Sequence, residues 1–157
     1  MTRGAYVLII EFLAQGERTR EGNNSNTTLV IGRLGSVSFR SGYYCYVGSA
    51  MGGIKSSTNL QNRIKRHLRS FYCPEEATNK PKKHWHIDYL LSHRNSRIVA
   101  ILIIPSREKE ECRIAAIVKN RANGMVSGFG CSDCGCGSHL FYFKQPHNIP
   151  TYRLQNI

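Results

Sequence analysis

Trp85, the only tryptophan of this sequence, stands between His84 and His86, a spacing that suits a ligand pair or a base on alternate positions. The preferred reading is that Trp85 anchors its segment and the two histidines hydrogen-bond locally, with Asp88 capping or orienting a neighbour. Further along, Cys131, Cys134, Cys136 and His139 bring three thiols and an imidazole close enough for tetrahedral Zn²⁺. No second, distant Cys-x-x-Cys half accompanies them. The run therefore reads first as a glycine-rich turn whose cysteines pack, or whose Asp133 and His139 hydrogen-bond, with structural Zn²⁺ as the alternative. Cys45, Cys73 and Cys112 read as buried or incidental thiols.

Arg63 and His67 lie one turn apart on a predicted helix. Glu111 shares a predicted helical face with Ala115 and Val118, where a carboxylate costs free energy unless something binds it. Each has a plain alternative. Arg63 and His67 would serve as part of a basic helix face, and Glu111 would pair with Arg113 or Lys119 as a surface salt bridge of small value, leaving Glu108 in reserve. Tyr43, Tyr44 and Tyr46 crowd one short stretch that ends in Gly48-Ser49-Ala50. Any single phenol there reads as packing, because burial is the usual reason to place an aromatic.

These groups need elements to hold them. Residues 42–50 read as a strand, and alternation puts Tyr44 and Tyr46 on one face and Tyr43, Cys45 and Val47 on the other. Residues 7–10 form an uninterrupted apolar run, which predicts a central strand covered on both faces. Residues 28–31 and 36–39 flank Gly32-Arg33-Leu34-Gly35 as a predicted hairpin. Asn59 caps a predicted helix that ends near Phe71, with Leu60, Ile64, Leu68 and Phe71 as its buried stripe, Arg63 and His67 on the stripe's edge, and Lys65 and Arg69 facing water. A short helix is expected over 87–91, an all-apolar strand over 98–104, and a helix from Ser106 or Arg107 to about Arg121. A last strand is expected over 140–143, followed by a tail of little periodicity.

Composition narrows the partners. The chain of 157 residues carries 22 Lys and Arg against 10 Asp and Glu, a formal net charge of +12. Such an excess attracts polyanions, so nucleic acid is the first partner to consider, with a plain basic surface as the alternative. The length suits one domain spanning 1–157, with a core over about 4–143 and a tail over 144–157. The first apolar run is broken by Glu11 and is too short to span a membrane, so a cytoplasmic, reducing location without disulfides is expected.

Gly4-Ala5-Tyr6, Tyr46-Val47-Gly48, Asn59-Leu60 leading to Arg63, and Glu111 on the helix after a third strand together resemble the GIY-YIG nuclease superfamily. Tyr46-Val47-Gly48-Ser49-Ala50, Arg66-His67-Leu68, the stretch from His84 through Leu91, and Gly128-Phe129-Gly130 through Ser138-His139-Leu140 resemble one branch of it more closely. That branch carries a domain-of-unknown-function label and sometimes occurs fused to endonuclease III-type repair enzymes.

The resemblance implies an α/β (α+β) domain with a small antiparallel central sheet flanked by helices, here with an inserted hairpin. It also implies a metal-dependent nucleic-acid phosphodiesterase, an endonuclease of DNA repair or processing. Carried onto this chain, Tyr6 and Tyr46 are the motif tyrosines, one acting as general base, and Arg63 is the phosphate-binding arginine. His67 is an accessory group and Glu111 the ligand of one Mg²⁺ or Mn²⁺. A planar guanidinium meets two phosphate oxygens at once, and a lone carboxylate suits an ion that keeps most of its waters. A phenol of pKa about 10 needs a cation beside it to work as a base at neutral pH, and Arg63 or metal-bound water is expected to supply that.

Lys55, Lys65, Arg66, Arg69, Lys80, Lys82 and Lys83 are the basic residues expected to meet a nucleic-acid backbone, DNA in the first instance, without reading its sequence. Two positions depart from the pattern, Ala5 where isoleucine is usual and Ser49 where many relatives have lysine. They motivate one rival, a catalytically inactive nucleic-acid-binding module. The cysteine run motivates a second, a zinc-stabilised protein-interaction domain.

Overall fold

Strand β1, Gly4–Phe12, is the spine of the molecule, and every side chain in it except that of Glu11 is buried. A strand can be apolar throughout only if both faces of its sheet are covered. Tyr6, Leu8, Ile10 and Phe12 point into one apolar cluster, and Ala5, Val7 and Ile9 into another on the opposite face. A computed structural model describes residues 2–15, 25–72 and 82–155 of this arrangement.

Strand β2, Asn26–Val30, and strand β3, Ser36–Arg40, form the expected hairpin. It is a separate two-stranded sheet, closed by a 3-10 turn over Gly32–Leu34. Gly35 there adopts φ +72°, a conformation that favours glycine. Ile31 and Phe39 of this hairpin enter the first apolar cluster, where Phe39 packs on Phe12 and Tyr44.

Strand β4, Gly42–Ala50, runs antiparallel to β1, and strand β5, Ser96–Pro105, pairs with the other side of β1. Strand β6, Gly124–Met125, and strand β7, Leu140–Phe143, complete a five-stranded antiparallel sheet in the order β5-β1-β4-β7-β6. At the edge of the sheet β5 is only partly covered, so Val99 and Ile103 are exposed although the strand is apolar. Alternation along β4 falls as expected, with Tyr44 and Tyr46 in the first cluster and Cys45 and Val47 in the second.

Helix α1, Leu60–Tyr72, and helix α2, His86–Leu91, contribute Leu60, Ile64, Ile87, Leu90 and Leu91 to the first cluster. Helix α3, Glu111–Lys119, and helix α4, Thr151–Gln155, cover the second with Ile114, Ala115, Val118 and Leu154. The result is an α/β domain, a small antiparallel sheet flanked by helices. No helix among the described residues is long and apolar enough to cross a membrane.

Three local expectations are corrected. On α1 only Leu60 of the expected stripe is buried; Ile64, Leu68 and Phe71 are half-buried, and the buried positions further along are His67 and Ser70. Helix α3 begins at Glu111 rather than at Ser106 or Arg107, because Ser106 Oγ accepts the Glu108 N–H in a turn of its own. The tail after Pro146 is ordered through a 3-10 turn and α4, and it buries Ile149 and Leu154.

Candidate active site

The register of β1 on β4 sets Tyr6 directly opposite Gly48. The Tyr6 ring lies across that glycine so closely that a Cβ there would stand 2.3 Å from Cζ and 2.5 Å from Oη. The glycine of Tyr46-Val47-Gly48 is thus required by the tyrosine of the neighbouring strand. Tyr6 is fully buried, and its hydroxyl meets His67 Nε2 at 2.7 Å.

His67 is fully buried in turn, with the rings of Tyr6, Tyr46 and Trp85 5.4, 6.2 and 6.4 Å away between centroids. Burial depresses its pKa to about 4, partly countered by Asp88, so the imidazole is neutral at physiological pH. Its Nδ1 has no hydrogen-bond partner among the described residues.

Arg63, one turn before His67, lays its guanidinium 4.4 Å from the centroid of the Trp85 ring, and Arg66 lies 3.9 Å from the same ring. Arg66 is committed to structure. Its Nη2 pairs at 2.9 Å with Asp88, whose Oδ2 also accepts the N–H groups of His84 and Trp85 and so caps α2. Arg63 has no ion-pair partner among the described residues, and its Nε is buried without a hydrogen bond.

Arg63 opens onto a cavity of about 610 Å³ whose walls include Tyr46, Ser49, Trp85, Lys109, Glu111 and Asp133. Tyr46 reaches this wall from β4, held by Phe129 and by Gly130, whose φ of +70° turns the loop against the ring. His84 and His86 also line the cavity, and His86 Nδ1 accepts the Gly130 N–H at 3.1 Å. The sequence-derived groups therefore converge. Tyr46, Arg63 and Glu111 face the cavity, while Tyr6 and His67 form a buried pair behind it.

Burial raises both Tyr6 and Tyr46 far above the ordinary phenol range, and it outweighs the lowering effect of Arg63 at each. Both phenols are accordingly protonated in this state, and of the two cations expected to favour a phenolate, Arg63 or metal-bound water, Arg63 is outweighed by burial.

Glu111 is the first residue of α3, and its Oε1 lies 3.0 Å from Nδ1 of the buried His139, at ion-pair distance without an aligned hydrogen bond. Burial works against a charged imidazole there, but the Glu111 carboxylate outweighs it and raises the His139 pKa. On its other side, His139 Nε2 is 3.4 Å from Cys134 Sγ. Cys112, Cys134, Cys136 and His139 present ligand atoms all within 4.8 Å of one another and could hold a metal ion. This corrects the expected set. Cys112, read from sequence as incidental, takes the place of Cys131, and Glu111 pairs with neither Arg113 nor Lys119, because Arg113 pairs with Glu110.

Of the expected backbone-binding residues, Lys55, Lys65, Arg69, Lys82 and Lys83 are exposed and Arg66 is engaged as described. Lys80 lies outside the described residues, as does Cys73. Sequence reasoning missed Cys112, Lys109 and the contact of Glu111 with His139. Only the adjacency of Cys112 to Glu111 pointed toward them.

Residues 22–156 match the family model described as "Domain of unknown function DUF123", a match that begins after β1 and so leaves Tyr6 outside it. No curated protein and no solved structure matches the chain.

Proposed function

This chain belongs to the DUF123 family, and we propose that it is a nucleic-acid phosphodiesterase of the GIY-YIG type that works with one divalent cation. One observation carries the reading: the guanidinium of Arg63, which has no ion-pair partner among the described residues, and the carboxylate of Glu111 line the same cavity, together with the Tyr46 phenol. A guanidinium with no carboxylate of its own is an anion site, and the planar fork suits two oxygens of one phosphate.

Stacking on Trp85 holds the Arg63 plane in place, and Asp88 holds the segment that carries Trp85. Lys109 lines the same cavity and adds a cation to it, whereas β4 offers Ser49 there.

The donor set fits a hard ion such as Mg²⁺ or Mn²⁺. With Oε1 turned to His139, Glu111 has a second oxygen to offer, and water and substrate oxygens would complete the shell. Such an ion polarises a phosphoryl oxygen and lowers the pKa of a bound water. Tyr46 keeps its proton in the state described, so its hydroxyl orients a water or phosphate oxygen by donating to it. Tyr6 and neutral His67 share one proton along their 2.7 Å contact and keep the floor of the site rigid. The exposed Lys55, Lys65, Arg69, Lys82 and Lys83 would position the nucleic-acid backbone without selecting sequence.

The test is cleavage of branched, single-stranded and duplex DNA and of RNA with Mg²⁺ or Mn²⁺, comparing the wild type with Glu111→Ala and Arg63→Ala. Loss of an interaction that stabilises charge on the reacting phosphate is expected to slow cleavage about 100-fold or more in each variant. Wild-type rates in both variants would refute the site assignment. Salt-sensitive binding with no cleavage under any condition would refute the enzyme and leave a binding module.

A further inference from the structure

We propose that Cys112 Sγ, Cys134 Sγ, Cys136 Sγ and His139 Nε2 bind one Zn²⁺ ion, and that His139 through Nδ1 sets the direction in which the Glu111 carboxylate points.

The four ligand atoms come from two elements far apart in sequence, the first turn of α3 and the loop before β7, yet all lie within 4.8 Å of one another. Around tetrahedral zinc, with thiolate near 2.3 Å and imidazole near 2.0 Å, ligand atoms sit roughly 3.5 to 3.8 Å apart. The 3.4 Å between Cys134 Sγ and His139 Nε2 is already at that spacing. The loop is closed at its base by backbone hydrogen bonds, Gly128 N–H to the Gly137 carbonyl at 2.9 Å and His139 N–H to the Phe129 carbonyl at 2.8 Å.

Three thiols and one imidazole favour a borderline-soft ion over Mg²⁺ or Ca²⁺, and four protein ligands leave no open position, which marks a structural centre. As Zn²⁺ enters, three thiol protons leave to solvent and three S–Zn bonds and one N–Zn bond form. No oxidation state changes.

A second feature points to the same ligand. A histidine that binds zinc through one ring nitrogen commonly gives its other N–H to a carboxylate, which fixes the ring and its tautomer. Glu111 Oε1 stands 3.0 Å from His139 Nδ1, and His139 is fully buried. With Nε2 on the ion, the proton must reside on Nδ1, facing Glu111. The centre would then tie the start of α3 to the loop and hold the Glu111 carboxylate, which lines the cavity, in a fixed direction. The Glu111 clause rests on the reading of the cavity given above, whereas the ion itself does not.

The full chain, produced with zinc present, is expected to hold one Zn²⁺ per molecule. Exchange with Co²⁺ should give the visible bands of a tetrahedral ion and a thiolate charge-transfer band sized for three thiolates. Alkylation provides a test that needs no variant. In the loaded protein Cys112 should resist iodoacetamide although it is exposed, while Cys131 reacts, and a chelator should abolish the protection.

Cys112→Ser and Cys136→Ser should lose the ion, and Cys131→Ser should keep it. Glu111→Gln should keep the stoichiometry with zinc affinity about 10- to 100-fold weaker. Sub-stoichiometric zinc, a disulfide by mass in the loaded protein, or protection of Cys131 in place of Cys112 would overturn the centre. Unchanged zinc affinity in Glu111→Gln would overturn the link to the carboxylate. None of these readouts uses nucleic acid, so a chain that binds zinc but cleaves nothing would fail the enzymatic reading alone.

Discussion

Gly48→Ala should destabilise the protein, and the size of the effect should depend on what stands at position 6. The added Cβ would lie 2.3 Å from Tyr6 Cζ, 2.5 Å from Oη and 2.7 Å from Cε2, well inside van der Waals contact. The ring has no easy retreat, because it is fully buried and its hydroxyl is held at 2.7 Å from His67. Overpacking of this kind costs about 1 to 3 kcal/mol, and breaking the Tyr6–His67 bond adds about 1 kcal/mol. The total, about 2 to 4 kcal/mol, corresponds to a fall in Tm of roughly 5 to 15 °C for a domain of this size.

The control is Tyr6→Val, which puts another good strand former in place and removes the ring. Gly48 carries no φ in the range that favours glycine. In the Tyr6→Val background Gly48→Ala should therefore be neutral or stabilising by about 0.5 to 1 kcal/mol, since alanine restricts the unfolded strand more than glycine does. Urea unfolding followed by far-ultraviolet circular dichroism and by the fluorescence of Trp85 would measure both arms of the cycle. A coupling energy below about 0.5 kcal/mol, with equal costs in both backgrounds, would refute the placement of the ring over the glycine.

The buried, neutral His67 should make stability depend on pH. Its pKa is lowered from 6.5 to about 4 in the folded protein, so the unfolded chain takes up a proton first as pH falls. The contribution of His67 is intact above about pH 6.5 and declines to about 3 kcal/mol of lost stability near pH 4; urea midpoints for the wild type and His67→Phe should differ in slope across that window. Asp88→Asn should cost about 2 to 3 kcal/mol, because the buried carboxylate answers Arg66 and two backbone N–H groups at once; thermal unfolding would read it, and Arg66→Met should weaken the effect by removing the partner charge.

Much of the fold followed from periodicities that are geometric. Alternation along residues 42–50 had to divide Tyr44 and Tyr46 from Cys45 and Val47, and the unbroken run of β1 had to be covered twice. Arg63 and His67 had to share a side of their helix. What periodicity could not reach was the identity of buried polar groups. A helical wheel treats histidine as a surface residue, yet His67 is the centre of the buried face of α1, because Tyr6 across the sheet supplies its hydrogen bond. Cys112 was illegible for a similar reason. Nothing in local spacing brings a residue at the start of α3 to the loop carrying Cys134 and Cys136; only the tertiary packing does. The late start of α3 was hidden by a side-chain turn at Ser106, which competes with the first helical hydrogen bonds.

The two departures from the nuclease pattern carry different weight once they are placed. Ala5 is fully buried in the second apolar cluster, with Val7, Ile9, Ile114 and Ala115, and it does not line the cavity. A smaller side chain there changes packing under α3 and touches none of the groups gathered around Arg63. Ser49 is a different case, because it lies on the cavity wall itself. A lysine at that point would contribute one positive charge to a bound phosphate, and in this chain Lys109 lines the same cavity from the segment that leads into α3. A charge acts through distance and not through the element that carries it, so a cation delivered from the opposite strand or from the approach to a helix serves a phosphate equally well. In the proposed reading the demand falls on Arg63 and Glu111, which line the same cavity with opposite charges and would be kept from neutralising each other by an anion and a cation between them.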